Sequence, residues 1–170
     1  HHNGVIPHSF MDIDGVLCYD PSLIQNDDGK RYEDFLLNAV PKFIPTKKIG
    51  YIISTRLEKY RWQTETWLKN YGIEYDHLIM LDLPSGIERR KQGSYGNFKG
   101  EFFKQTQCSI FIESSYEQAV EICRVSGKQV FCTDKSVLIT PPELSKHLKI
   151  LENDWRITTK RVVRKLLGKL

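Results

Sequence analysis

No apolar run in this 170-residue chain approaches the ~20 residues needed to cross a bilayer, so an ordinary helical membrane span is excluded. The opening His1-His2-Asn3-Gly4 leads straight into a short strand-like run and lacks the layout of a secretory signal. Cysteines are few, and Cys18, Cys108, Cys123 and Cys132 form neither a CxxC pair nor a zinc-ligand pattern. That argues against a structural zinc site and for buried free thiols in a reducing, cytoplasmic setting. Net charge is small, +4 with a pI near 8.8, too little to make the whole surface a nucleic-acid interface. The basic excess is local and gathers in the last turns of the chain. Low-complexity tracts and internal repeats are absent, and the glycine-dotted stretch 86–100 lacks the Gly-Lys-Ser/Thr ending of a P-loop.

What is present is organised around Phe10-Met11-Asp12-Ile13-Asp14-Gly15-Val16-Leu17-Cys18. The run opens as a buried strand and then offers two carboxylates at i and i+2, which strand geometry turns to one face. Gly15 permits a sharp turn there. Two like charges so close require compensation by a divalent cation, a shared proton or a nearby lysine. A plain Asp-x-Asp-Gly turn is the alternative.

Further along, Gln25 to Lys30 reads as a polar flap whose Asp27 and Asp28 form a solvated turn, followed by a short helix over 32–39. Strands are predicted at 49–53, 77–81, 109–112 and 129–132, in addition to the first. Ser54-Thr55-Arg56 is expected as a short polar turn feeding a helix that ends before Gly72, with its hydroxyls at the helix start able to cap it or bind an anion. The stretch 86–99 reads as a basic loop, 100–107 and the residues from Tyr116 to Gly127 as helices, and Pro141-Pro142 as the start of another. Five alternations of strand and helix predict an α/β fold: a doubly wound three-layer sandwich over 1–150, with a mainly parallel central sheet of about five strands and little or no cap. Residues 151–170 form a separate basic amphipathic helix.

In such sheets ligands bind at the carboxyl ends of the strands, where Asp12, Asp14, Ser54-Thr55 and Glu113 all fall. A phosphomonoester bound there with Mg²⁺ gives each a task. Asp12 attacks phosphorus, Asp14 protonates the leaving oxygen and later activates water, Ser54 and a lysine hold the phosphate oxygens, and Glu113 anchors the metal.

The Asp12-Ile13-Asp14-Gly15-Val16-Leu17 run resembles the first signature of the haloacid dehalogenase superfamily, most of whose members are Mg²⁺-dependent phosphatases. The resemblance implies Asp12 as nucleophile and Asp14 as acid/base. It also implies Ser54 as the second motif's hydroxyl, Lys99 as the third motif's lysine with Lys91 as rival, and Asp12, Asp14 and Glu113 around the metal. The runs Ser54 to Arg61 and Phe111 to Ala119 are similar to the phosphatase-like domain that some bacterial proteins carry after a phosphoribosyltransferase domain, so a fused or partner domain of that kind is implied. The fourth motif departs from the family: Glu113 is followed by Ser114 and Ser115 rather than an acid, with Glu117 the nearest substitute. A catalytically weak or inactive regulatory module is therefore the rival to a phosphohydrolase. In the tail, Ile157, Val162, Val163, Leu166, Leu167 and Leu170 share a helical face amid Lys160, Arg161, Arg164, Lys165 and Lys169. The expectation is packing on this domain or a neighbouring subunit, with an anionic membrane surface or nucleic acid as alternative partners.

Overall fold

Phe10 and Met11 point to opposite faces of the first strand, and the molecule is layered on that alternation. The computed structural model describes the backbone of residues 4–167, and within them the side chains of all but 156 and 160–167. The short first strand, β1 (Ser9–Met11), lies at the centre of a six-stranded sheet. The others are β2 (Ile49–Leu57), β3 (Tyr75–Leu81), β4 (Ile110–Glu113), β5 (Gln129–Cys132) and β6 (Val137–Ile139). Their order is β3-β2-β1-β4-β5-β6, with every pairing parallel except the antiparallel β5–β6 edge. Beyond the strands expected from the sequence, β6 is a sixth, reached from β5 by a tight turn in which Ser136 takes φ 49°.

One face buries Met11, Ile52 and Leu57 against α1 (Lys30–Asn38) and α2 (Arg61–Asn70), through Phe35, Leu36, Trp67 and Leu68. The other buries Phe10, Ile53, Phe111 and Val130 against Phe103 of α4 (Tyr95–Lys104) and Ala119, Val120 and Cys123 of α5 (Tyr116–Ser126). This is the doubly wound α/β sandwich that the alternating pattern implies, with all four cysteines free and buried. Among the described residues no helix is long and apolar enough to cross a membrane.

Three stretches differ from the sequence reading. Residues 86–100 are helical for most of their length: α3 (Gly86–Gln92) is capped by Ser85, whose side chain accepts from Glu88 N, and is separated from α4 by Gly93 at φ 70°. β2 continues to Leu57 through a register irregularity after Ile53, so Ser54 and Thr55 lie in the strand. A 3-10 turn at Glu58–Tyr60 intervenes before α2, which has no side-chain cap. The proposed cap or helix-start anion site at Ser54-Thr55 is therefore not formed. The last helix, α6 (Leu144–Leu167), begins ahead of residue 151 and is continuous through it.

The helices α4 and α5 pack closely because Gly96 and Gly100 face α5. A Cβ on Gly100 would stand 2.8 Å from Cβ of Val125, and one on Gly96 would stand 2.8 Å from Cβ of Glu121. Replacing a helical glycine by alanine ordinarily stabilises by up to about 1 kcal/mol. Here overpacking, at about 1–3 kcal/mol, exceeds that gain. Gly100→Ala is expected to lower the urea midpoint at unchanged m-value. A raised midpoint would show that the two helices have room to spare.

Candidate active site

The parallel register sets β1 beside β4, pairing Met11 with Ile112, so the next residue on each strand is an acid: Asp12 and Glu113. The chain winds from β1 toward β3 on one side and from β4 toward β6 on the other. The reversal between β1 and β4 opens a crevice at their carboxyl ends. Asp12 N donates to Ile112 O at 3.1 Å, holding the two strand ends together. Gly15, at φ 77°, then turns the chain back under Ser114, where a side chain would overlap the Ser114 hydroxyl.

Lys99 enters from α4, between the two glycines that bring that helix close. It is 1% exposed, and Nζ donates to Asp12 Oδ2 at 2.6 Å, Glu113 Oε2 at 2.7 Å and Gln118 Oε1 at 2.9 Å. All three ammonium protons thus go to protein acceptors. The remaining carboxylate oxygens are also occupied. Asp12 Oδ1 accepts from Ile13 N at 2.8 Å, and Glu113 Oε1 accepts from the backbone N–H groups of Ser114 and Ser115 at 2.9 and 3.1 Å.

Asp14 has a cation of its own. The Arg56 side chain, 0% exposed, donates from Nη2 to Oδ1 at 2.7 Å and from Nε to Oδ2 at 3.1 Å, while Nη1 reaches Thr64 at 3.4 Å. Its guanidinium also lies 6.0 Å from the Phe35 ring centroid. The two aspartates consequently titrate in opposite directions. Burial, reinforced by the charges of Glu113 and Asp14 and opposed by Lys99, pushes the Asp12 carboxyl up to about 8. Burial also acts upward on Asp14, but the charge and hydrogen bonds of Arg56 outweigh it and hold that carboxyl below its usual range. Fully ionised, Asp12, Asp14 and Glu113 face Lys99 and Arg56, leaving one negative charge uncompensated.

Among the described residues no three His, Cys, Asp or Glu side chains are placed to share a metal ion. The expected metal set of Asp12, Asp14 and Glu113 is not assembled as such: Lys99 occupies the point where Asp12 and Glu113 meet, and Arg56 draws Asp14 away into a two-point ion pair. Asp12 and Glu113 do converge, on Lys99. Two carboxylates with a surplus negative charge suit a hard cation, since Mg²⁺ takes one or two carboxylates together with water and substrate phosphate. Asp12 and Glu113 are the residues that would hold Mg²⁺, through lone pairs not used by Lys99 and the backbone N–H groups.

The crevice above this cluster has a volume of about 280 Å³ and is walled by Asp20 and Pro21, Asn26 of the flap, Thr55, Arg89 and Arg90 of α3, and Tyr95. Ser54 lies outside this lining. It is 1% exposed, and its Oγ accepts from Arg56 N at 3.2 Å, because strand alternation turns Thr55 to the crevice instead. Lys91 is exposed in the last turn of α3 and does not line the crevice, leaving Lys99 as the lysine at the carboxylates. Glu117 is exposed and accepts from Ser115 Oγ at 3.2 Å. The flap is more structured than a solvated turn. Asp28, at φ 59°, accepts from Gly86 N at 2.7 Å and Tyr60 Oη at 2.9 Å, and Arg89 donates to Asn26 at 2.9 Å, tying flap to α3.

Arg56, Gln118 and Arg89 belong to no motif that marks them as site residues. For Arg56 the sequence does carry a signal: an arginine within a buried strand must find a charge partner, and the paired aspartates Asp12 and Asp14 offer one.

No protein-family model matches the chain, and no curated protein matches it. Among solved structures, the chain is similar to part of the Pnkp1/Rnl/Hen1 RNA repair complex, at 19% sequence identity and a TM-score of 0.44. The likeness covers 74% of this chain and 41% of that one.

Proposed function

We propose that this crevice hydrolyses phosphate monoesters through an aspartyl-phosphate on Asp12. The observation that carries the reading is the convergence of Asp12, Glu113 and Lys99 at the switch point of the sheet, beneath a crevice bordered by arginines. The resemblance of the Asp12 to Leu17 run to the first haloacid dehalogenase signature supports it independently of the geometry.

In the first step Asp12, having released to solvent the proton that its raised value retains at neutral pH, attacks phosphorus through an ionised oxygen; a bond from that oxygen to phosphorus forms as the bond to the substrate's ester oxygen breaks. The departing oxygen takes a proton from Asp14. In the second step water attacks the same phosphorus, the Asp12–phosphorus bond breaks, and inorganic phosphate leaves. Arg56 keeps Asp14 ionised at rest, which suits it to accept the proton of the attacking water. Its role as the acid of the first step requires it to be loaded with a proton beforehand. Lys99, with its protons committed to protein acceptors, holds Asp12 and Glu113 in place rather than grasping the substrate. That leaves the rim arginines to meet the phosphate: Arg89 is partly engaged by Asn26 and the Thr55 carbonyl, and Arg90 is exposed at the crevice. Asp12 and Glu113 would hold Mg²⁺, which when bound would supply charge neutralisation for the transferring phosphoryl group.

The test is a panel of phosphorylated sugars, nucleotides and phosphopeptides assayed with Mg²⁺, together with acid quenching and hydroxylamine capture of the acyl phosphate. Release of phosphate and a hydroxamate at Asp12 are expected. Binding of phosphoesters with no turnover across the panel would leave a regulatory module as the better description.

A further inference from the structure

All 21 acidic residues of the chain lie at or before Asp154, whereas six of its 25 lysines and arginines lie beyond it, within 155–170. Up to Asp154 the chain is slightly acidic, with 19 basic residues against 21 acidic ones. The charge boundary falls within α6, which continues from Leu144 to Leu167. Its first turns are anchored: Leu144 and Leu151 pack on the core shared by α4 and α5, and buried His147 meets Tyr116 Oη through Nδ1 at 2.8 Å. Beyond Leu151 every side chain described is exposed, up to Thr159. Trp155 is 77% exposed and Ile157 52%. The expected packing of this helix on its own domain therefore ends at Leu151 for the described residues. The tail positions 160–170 lie outside the residues whose side chains are described and enter here by sequence alone.

We infer that the projecting part of α6 is a docking element for an anionic lipid surface. Beyond Asp154 its charge is of one sign, complementary to acidic headgroups. Seven of the 16 residues in 155–170 are large and apolar, yet cations interrupt them too often for a span, a composition typical of helices lying in the plane of the interface. An exposed tryptophan is at home at headgroup depth, where its ring is buried and its indole N–H stays hydrated. Nucleic acid is the less favoured partner, because single-strand binders need several aromatic platforms and this segment has only Trp155.

Co-sedimentation of the full chain with phosphatidylcholine vesicles, with and without phosphatidylserine, tests the inference at low and high salt. Expected are binding to the phosphatidylserine vesicles only, weakening with salt, and a blue shift of tryptophan emission that disappears in Trp155→Phe. A combined K160Q, R161Q, R164Q and K165Q variant is expected to lose at least about tenfold in partitioning while keeping the wild-type unfolding midpoint. Equal binding to neutral vesicles, no binding to either, or tighter binding to a short RNA or DNA at the same salt would each overturn it. The phosphatase assay on soluble substrates is independent of all these readouts.

Discussion

Lys99→Met is expected to cost about 3–5 kcal/mol of stability, the range for stripping the partner from a buried ion pair. Methionine has similar length and fills the space, so packing loss is small and the effect is electrostatic. The variant leaves Asp12 and Glu113 buried side by side, deprived of the 2.6 and 2.7 Å bonds that offset their charges. The pH dependence identifies the cause. With Lys99 gone, the Asp12 carboxyl loses the charge that opposes its upward shift, so the native state holds a proton that the unfolded state has released. Stability then falls as pH rises above the ordinary carboxylate range, until the raised folded value of Asp12 is passed. The defect should be large at pH 8 and small near pH 4, and adding Asp12→Asn and Glu113→Gln should recover part of it at pH 8. Chemical denaturation across that range is the measurement. A defect of constant size would mean that lost packing, rather than stranded charge, is responsible.

Asp12→Asn is expected to abolish turnover, by at least about a thousandfold, because an amide cannot form the acyl phosphate. The same change should stabilise the protein at alkaline pH. Wild-type Asp12 has its folded value raised to about 8 from 3.8, so the native state keeps a proton across that window which the unfolded chain has lost. Each pH unit within it costs the wild type up to about 1.4 kcal/mol, and the loss is complete above the folded value. Asparagine carries no such charge and still accepts from Lys99. The two proteins should be equally stable near pH 4 and diverge as pH rises, with the variant ahead at pH 9. Parallel stability curves would mean that Lys99 compensates Asp12 fully and that its carboxyl is ionised at neutral pH. Buried charge and a catalytic task would then be separable in this site.

Much of this organisation is written locally. The Phe10 to Cys18 run, the acid ending β4 and the helical spacing over α2 and α5 each identify an element from residues within a few positions of one another. Strand alternation is enough to send Asp12 and Glu113 to strand ends, and a doubly wound sheet is enough to bring strand ends together. The basic stretch 86–99 has the glycines and charges of a loop, although Ser85 caps a short helix there and Gly96 and Gly100 mark a helix contact.

By itself the sequence determined the α/β alternation, the crevice end of the sheet and the acids that line it, since periodicity and turn chemistry are short-range properties. Only the tertiary structure decided which cation answers which acid: Lys99 rather than Lys91 for Asp12 and Glu113, and Arg56 for Asp14. It also turned Thr55 rather than Ser54 to the crevice and made Asp28 a clasp between flap and α3. The physical reason is the same in each case. A charge buried by folding must be paired wherever the chain crossing brings a partner within about 3 Å, and that partner's distance along the sequence leaves no trace in local pattern.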